Sequence, residues 1–198
     1  MKKHNLSIAL RALKNGEVII YPTDTLYALG ADIYNNEAVR KVFDMKHRPY
    51  SIPLPVAVAT EEQMETIAIV DDRVKRVIKR FLPGTLTIVL QKKKSVPALV
   101  TSGLENIAVR IPNNTIALEL LEQFGPLTVT SANLHSEKTP GVIKDVQMQL
   151  GTHISVCLDD GRLEAVPSTI VDLTTTTPRI VRSGSITEKQ IRDAITHE

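Results

Sequence analysis

The sequence lacks the features that define several large classes of protein. Its 198 residues include one cysteine, Cys157, so the chain cannot build a framework of internal disulfides. No run approaches the roughly 18 apolar residues of a membrane span, and Arg11 interrupts the first apolar segment, which is atypical of a signal peptide. The formal net charge is only +2, too small to indicate general nucleic-acid binding, although it leaves room for a local basic patch. These absences favour a soluble, cytoplasmic protein.

Familiar catalytic and metal-binding patterns are missing as well. Pro83-Gly84-Thr85 lacks the lysine and the spacing of a P-loop. Ser131 is not enclosed in a G-x-S-x-G turn and has no evident histidine and acid partners. The five histidines and the cysteine show no metal-ligand spacing. The sequence therefore predicts neither a serine hydrolase nor a resident metal.

What is present is an alternation of helical and strand patterns. A first helix is predicted over Leu6–Leu13, with Asn5 as its N-cap and Gly16 after its end. Further helices are predicted over residues 36–46 with Asn36 as cap, from the capping box Thr60/Gln63, over 74–81, 117–124 and 143–150, and around 191–195 after Thr187. Strands are predicted at residues 18–21, 54–59, 86–90, 107–111, 127–130, 154–158, 169–171 and 180–181.

This alternation is typical of an α/β domain. Proline-rich breaks and adjacent strands without intervening helices indicate a mixed sheet and not an all-parallel one. No internal repeat, low-complexity tract or linker divides the chain. We therefore expect one domain over residues 1–198, with helices flanking the sheet.

The turn after the first strand is the first candidate site. Residues 21–27 read Tyr-Pro-Thr-Asp-Thr-Leu-Tyr, and offer several hydroxyls and one carboxylate. Such a turn can hold the polar atoms of an amino acid, or it can simply close the strand as an Asx or Ser/Thr turn. Both interpretations remain open from these residues.

Two further groups are candidates for binding oxygen-rich ligands. Lys46 and Arg48 lie at a helix end, where they either offset the helix dipole in solvent or converge on a triphosphate, Arg48 as a bidentate fork. His47 between them is expected to be exposed. Ser131 and Asn133 follow a strand and can hold phosphate or acyl oxygens, or can cap their own loop.

The order of the motifs is more informative than any one of them. Tyr-Pro-Thr-Asp-Thr-x-Tyr is followed by Lys-x-Arg-Pro at 46–49, Pro-Gly-x-Leu-Thr at 83–87, Val-Arg-x-Pro at 109–112, Thr-Ser-Ala-Asn at 130–133, Pro-Ser-Thr-Ile-Val-Asp at 167–172 and Arg-x-Gly at 182–184. Over about residues 5–190, the chain resembles the YrdC-like family of threonylcarbamoyl-adenylate synthases. The resemblance implies a twisted, mixed α/β sheet with a large basic central cavity.

The resemblance also implies a reaction. L-threonine, bicarbonate or CO2, and ATP give threonylcarbamoyl-adenylate and pyrophosphate, for the N6-threonylcarbamoyladenosine (t6A37) modification of tRNA. Mg2+ enters only with ATP, and no tightly bound cofactor is expected. The implied partners are the downstream tRNA threonylcarbamoyl-transferase machinery, with weak RNA contact and no membrane.

The family's functional residues carry over onto matching positions of this chain. The catalytic and ATP-binding set falls on Lys46, Arg48, Ser131 and Asn133. The threonine-binding pair falls on Thr23 and Tyr27. Further ATP contacts fall on Arg182, Arg110 and Ser168. Departures from the family pattern are Ala28 in place of Gly, Ala57 where some relatives have a threonine-contacting His, and His135-Ser136 in place of Ser-Gly. These departures leave the amino-acid specificity open.

Two rival functions stay open. One is a different adenylate-forming enzyme, such as a carbamoyl-adenylate synthase, and the other is a non-catalytic RNA-binding or translation-associated protein. The combination of two cations with Ser131 and Asn133 favours an enzyme, because a binder of duplex RNA needs cations but no such Ser/Asn loop. Pyrophosphate release with and without threonine distinguishes the three.

Overall fold

Helices and strands alternate along the chain in the computed structural model, which describes residues 2–151, 154, 156–164 and 167–196. The helices are α1 (Lys2–Lys14), α2 (Asn36–Met45), α3 (Glu61–Ile67), α4 (Asp72–Phe81), α5 (Thr115–Phe124), α6 (Ile143–Leu150) and α7 (Glu188–Thr196). The strands are β1 (Ile19–Pro22), β2 (Tyr27–Gly30), β3 (Val56–Ala57), β4 (Leu86–Gln91), β5 (Asn106–Arg110), β6 (Leu127–Thr128), β7 (Thr130–Ser131), β8 (Val156–Cys157), β9 (Thr169–Asp172) and β10 (Arg179–Arg182).

The strands form two sheets within the described residues, not the one sheet expected. The smaller sheet has the order β7-β2-β1-β8 and the larger one the order β10-β9-β4-β5-β3-β6. Each is mixed: β1 pairs antiparallel with β2 and parallel with β8, and β4 pairs antiparallel with β5 and parallel with β9. The prediction of a mixed α/β fold with flanking helices is confirmed.

The segment predicted as one strand over residues 127–130 belongs to both sheets. Its first part, β6, pairs with β3 through Thr128 opposite Val56, and its second part, β7, pairs with β2 through Ser131 opposite Ala28. Val129 separates the two and donates its N–H to the Pro55 carbonyl at 2.9 Å. An apolar run alone does not reveal this change of partner. The crossing delivers Ser131 to the place where the two sheets meet.

Helix ends depart from the prediction in two places. The structure extends α1 back to Lys2, so Asn5 lies inside that helix and is not its cap. The cap of α2 is Asn35, whose Oδ1 accepts the N–H groups of Glu37 and Ala38 at 3.0 and 3.1 Å, and not its neighbour Asn36. Apolar periodicity identifies the buried face of a helix but not its first residue. The cap at Thr60 is confirmed, because its Oγ1 accepts the Gln63 N–H.

Two predicted strands are shorter than expected. Only Val56–Ala57 of residues 54–59 forms ladder pairs, and Pro53 and Pro55 flank this stretch without an N–H to donate. In the predicted strand 154–158, Val156–Cys157 pairs with β1, and Ser155 lies outside the described residues.

Candidate active site

A cavity of about 460 Å³ is lined by residues from both sheets and from the loops between them. Of the nine predicted site residues, seven line it: Thr23, Tyr27, Arg48, Arg110, Ser131, Ser168 and Arg182. The other two, Lys46 and Asn133, are buried and bonded to the Ser131 loop. The structure therefore brings residues from across the whole motif order to one place.

The end of α2 directs Lys46 and Arg48 towards this cavity. His47 adopts a left-handed conformation with φ of +49°. Its N–H bonds to the Asp44 carbonyl at 3.0 Å, while the Arg48 N–H bonds to the Phe43 carbonyl at 2.9 Å. These two bonds form a Schellman motif, which ends the helix and reverses the chain. Two cations only two residues apart thereby reach one region.

Lys46 is buried, with 2% of its surface exposed. Its ammonium group donates to the Ser131 carbonyl, to the Asn133 carbonyl at 2.6 Å and to Asn133 Oδ1 at 3.2 Å. Burial, reinforced by the charge of Arg48, lowers the pKa of Lys46 from 10.5 to about 7. No carboxylate pairs with Lys46 among the described residues. The loop holds this cation by oxygen dipoles alone.

Asn133 is the centre of the same loop. Its Oδ1 accepts from both Lys46 and Ser131 Oγ, and its Nδ2 donates to the carbonyls of Leu134 and Glu137 at 2.8 and 2.6 Å. All polar atoms of the Asn133 amide are therefore used within the protein. Ser131, and not Asn133, is the member of this pair that lines the cavity.

Arg48 is half-buried and holds the following loop with one edge of its guanidinium. Nε donates to the Ile52 carbonyl at 3.0 Å and Nη2 to the Pro53 carbonyl at 2.8 Å. Burial lowers the pKa of Arg48, but a guanidinium stays charged at neutral pH. Within the described part of the chain Nη1 makes no hydrogen bond, which leaves that end of the fork for a ligand.

The turn of residues 23–26 is closed by the Thr23 hydroxyl. It donates to the Leu26 carbonyl at 2.7 Å and accepts the N–H groups of Thr25 and Leu26 at 3.2 and 3.0 Å. Thr25 Oγ1 lies 3.0 Å from Thr23 Oγ1 and accepts from Arg110. The hydroxyls that the sequence offered are thus engaged in shaping the turn, which itself lines the cavity.

Tyr27 lines the cavity and bonds a distant turn through its hydroxyl. The hydroxyl lies 2.6 Å from the Gly161 carbonyl and 2.9 Å from Asp159 Oδ1, and it accepts the Asp160 N–H at 3.0 Å. Burial raises the pKa of Tyr27 to about 12, so the phenol is neutral at physiological pH. Tyr27 therefore fixes residues 159–161 relative to β2.

Arg110 and Asp24 form an ion pair of 2.5 Å whose side chains are only 6% and 11% exposed. Arg110 ends β5, and its Nη1 and Nη2 also bond Thr25 Oγ1 and the Gly84 carbonyl, each at 3.1 Å. Burial lowers the pKa of Arg110, and the charge of Asp24 opposes that effect. The pair ties the larger sheet to the turn between β1 and β2.

Ser168 and Arg182 form a further part of the cavity lining. Arg182 donates Nε and Nη2 to the Ser168 carbonyl at 3.0 and 2.8 Å, and Nη2 also meets Ser168 Oγ at 3.0 Å. Gly184 permits this approach, because a Cβ there would lie 2.4 Å from the Thr169 nitrogen. Ser168 Oγ also lies 3.1 Å from Thr87 Oγ1.

Three functional neighbours were not among the predicted site residues. Asp24 bonds Arg110, and Thr25 and Thr87 line the cavity. All three lie inside motifs that the sequence had singled out, residues 21–27 and 83–87, so motif membership was the available signal. Their partners are far away along the chain, which no local pattern reveals.

The cavity is suited to an anionic ligand. Its charged lining consists of Arg48, Arg110 and Arg182, and no carboxylate lines it within the described ranges. No group of three or more His, Cys, Asp or Glu in the described part of the chain is placed to hold a metal ion. Across the same residues, no helix is both long and apolar enough to cross a bilayer. The fold and the site define an α/β protein with a cationic cavity for a small anionic ligand.

Comparison with known proteins gives the family. The Sua5/YciO/YrdC family model, with the description "Telomere recombination", matches residues 11–184, and the chain belongs to this family. A threonylcarbamoyl-AMP synthase of Pyrococcus abyssi (strain GE5 / Orsay) is 34% identical over 198 residues, covering 98% of this chain and 58% of that protein. The predicted resemblance to YrdC-like proteins is confirmed.

Two solved structures show the same fold. The structure of P. abyssi Sua5 complexed with L-threonine matches with a TM-score of 0.91 at 34% identity, over 96% of this chain and 57% of that one. Escherichia coli YciO matches with a TM-score of 0.88 at 29% identity, over 96% of this chain and 94% of that one. The chain thus spans little more than half of the P. abyssi protein and nearly all of YciO.

Proposed function

We propose that the protein is a threonylcarbamoyl-AMP synthase, which joins L-threonine, CO2 or bicarbonate, and ATP into threonylcarbamoyl-adenylate with release of pyrophosphate. The observation that supports this most directly is the convergence of Arg48, Arg110 and Arg182 with Ser131 on one cavity. ATP, the threonine carboxylate and the carbamate are all anions, so a cavity lined by three guanidinium groups suits their simultaneous binding.

The phosphates of ATP occupy the end of the cavity near Arg48 and Ser131. Arg48 presents the free end of its fork there. The Ser131 hydroxyl, which donates to Asn133 Oδ1 in the structure, turns from that bond to donate to a phosphate oxygen. Lys46 lies behind the same loop with a pKa lowered to about 7, and an anionic phosphate beside it favours its protonated, positively charged form. These groups stabilise charge that builds on the phosphates as pyrophosphate leaves.

Threonine occupies the end lined by the Thr23 turn and by Tyr27. The amine of threonine forms a bond to the carbon of CO2 and loses a proton, which gives a carbamate. A carbamate oxygen then attacks the α-phosphorus of ATP, and the bond from that phosphorus to the pyrophosphate oxygen breaks. The chain contributes positioning and electrostatic stabilisation, with no covalent intermediate on the enzyme.

Apolar side chains protect the intermediate. A carbamate decomposes in water, and a water-poor site prolongs its life. Ile52, Leu54 and Val129 line the cavity beside Arg48 and Ser131, and Arg48 itself holds the loop that carries Ile52. The same guanidinium thus binds a ligand with one end and shapes the apolar wall with the other.

The reaction needs a metal-bound substrate and an acceptor for its product. Mg2+ enters as part of the MgATP substrate, and the product is passed to the machinery that transfers the threonylcarbamoyl group to tRNA. The cytoplasm is the compartment of the reaction, which the one cysteine of the sequence suits.

Pyrophosphate release tests the function. Protein is incubated with MgATP and bicarbonate, and with threonine, with valine or with no amino acid. We expect release that depends on threonine and is at least about tenfold slower with valine, because a lost polar contact in a buried site costs about 1–3 kcal/mol. Release that is equal without an amino acid points to a different adenylate-forming enzyme, and the absence of release contradicts the synthase.

A further inference from the structure

The Asp24–Arg110 ion pair connects the two sheets at the cavity. Asp24 lies in the turn between β1 and β2 of the smaller sheet, whereas Arg110 ends β5 in the larger one. Two of the three partners of Arg110, Asp24 and Thr25, belong to that turn, and the third is the Gly84 carbonyl. The direction of the guanidinium is therefore set by this turn and by one backbone oxygen.

The hydrogen-bonding capacity of the Asp24–Arg110 pair is incompletely used. Asp24 Oδ2 and Arg110 Nε are buried and have no hydrogen-bond partner among the described residues. A fold that needed only a structural ion pair gains nothing from two open polar atoms, because each such atom carries a desolvation cost. Arg110 also lines the cavity, whereas Asp24 does not. The carboxylate thus contacts the arginine without being part of the cavity lining.

We propose that Asp24 is a positioning residue: its carboxylate holds Arg110 in the direction in which the guanidinium meets an anionic group of the substrates. The inference rests on the proposed function, which supplies that anionic group. Two properties of Asp24 matter. Its negative charge keeps the buried guanidinium electrically balanced while the cavity is empty, and its bond to Nη2 fixes the rotation of the guanidinium plane.

The test is a double-mutant cycle on ligand binding. Dissociation constants for threonine and for MgATP are measured by calorimetry with Asp24→Asn, Arg110→Lys and the double variant, and pyrophosphate release is measured in parallel. We expect Asp24→Asn to weaken binding of one ligand at least tenfold. We expect it to add less than about twofold in the Arg110→Lys background, because a residue that acts through another shows strong coupling.

Two further variants separate positioning from folding. Asp24→Glu retains the charge and is expected to recover part of the affinity that Asp24→Asn loses. Glu188→Gln makes the same carboxylate-to-amide change in an exposed ion pair with Arg192 on α7, and is expected to leave both dissociation constants unchanged. If Asp24→Asn does not fold, Thr25→Val serves in its place, because it removes the other side-chain partner of Arg110 without changing charge. We expect Thr25→Val to weaken binding of the same ligand that Arg110→Lys weakens.

The outcomes are distinct. Equal and independent losses from Asp24→Asn and Arg110→Lys, or a lowered melting temperature with unchanged dissociation constants, overturn the positioning role. If the dissociation constants show the expected coupling between Asp24 and Arg110 but no threonine-dependent pyrophosphate release is seen, the proposed function is overturned and the role of Asp24 is supported. If wild-type protein binds neither ligand, both are wrong.

Discussion

Two buried cations near the cavity, Lys46 behind the Ser131 loop and Arg110 in the lining, are accommodated in opposite ways. Arg110 has a carboxylate partner, Asp24, and the pair is almost neutral. Lys46 has only oxygen dipoles from Ser131 and Asn133, so its charge is solvated but not balanced. A buried charge is costly unless it is paired and hydrogen-bonded. The region around Arg110 is therefore complete as a charge arrangement, and the region around Lys46 is completed only by an anion.

The largest expected difference between the two regions is in stability. Arg110→Met leaves the Asp24 carboxylate buried without its counter-ion, and such a change costs about 3–5 kcal/mol. Lys46→Met removes an unbalanced charge and leaves a few loop oxygens unpaired, so we expect a loss of less than about 2 kcal/mol. Urea unfolding at neutral pH measures both. Equal losses would show that the two cations are balanced to the same degree.

The second expected effect is on activity at the incomplete region. Arg48→Lys keeps the charge beside Lys46 but loses the planar fork, and Lys46→Ala removes the charge behind the loop. We expect each to reduce pyrophosphate release at least tenfold, which corresponds to about 1.4 kcal/mol in the barrier, while most of the protein stays folded at the assay temperature. Arg40→Lys, the same substitution on the exposed face of α2, is the matched control. Full activity in both variants would contradict the phosphate role. A loss of activity in proportion to a lowered melting temperature would show that both residues are structural.

The third effect is on the pH dependence of stability. Unfolded Lys46 binds its proton up to about pH 10.5, whereas burial lowers the pKa in the folded protein to about 7. Between these values the unfolded state binds more protons, so the free energy of unfolding rises with pH. We expect wild type to gain stability relative to Lys46→Met from about pH 7 upward, and the difference to be constant below that. A flat difference across the range would mean that Lys46 keeps its proton.

The smallest effect concerns the residue between the two cations of α2. His47 has a φ of +49°, a conformation that costs a residue with a Cβ about 1 kcal/mol and glycine almost nothing. We expect His47→Gly to stabilise the protein by about 0.5 kcal/mol and to leave pyrophosphate release unchanged. Ser102→Gly, at a φ of +53° outside the cavity lining, is the control. A loss of activity in His47→Gly alone would assign the imidazole a role in the site.

Much of the fold is predictable from the sequence because its cause is local. Buried helix faces follow from apolar spacing, and the ends of α4 and α5 follow from Pro83-Gly84 and Gly125. The division into two sheets has no such cause, because it depends on which distant strand each half of residues 127–131 finds. The predicted N-caps of α1 and α2 were wrong for a related reason. Several neighbouring residues can cap a helix, and the backbone conformation decides which of them does.

The candidate site shows the same contrast. Motif order brought together Arg48, Arg110 and Arg182, which lie in three separate parts of the chain and line one cavity. The residues of the Thr23 turn left open whether its hydroxyls close the turn, as they do, or bind a ligand. That Tyr27 reaches Gly161 was not predicted, because this pairing spans more than a hundred residues and residue types alone do not determine it.

The crossing at Val129 determines where this chain can be cut. Leu127–Thr128 is an edge strand of the larger sheet and Thr130–Ser131 an edge strand of the smaller one. The continuous strip of residues 127–131 therefore covers the neighbouring strand in each sheet. A circular permutant with new termini in that strip would bare two strand edges at once and favour aggregation. New termini beside Lys94 and Ser95, exposed between β4 and β5, would leave both edges covered. New termini for fragment complementation or circular permutation are therefore best placed in the loop between β4 and β5, with the strip around Val129 kept intact.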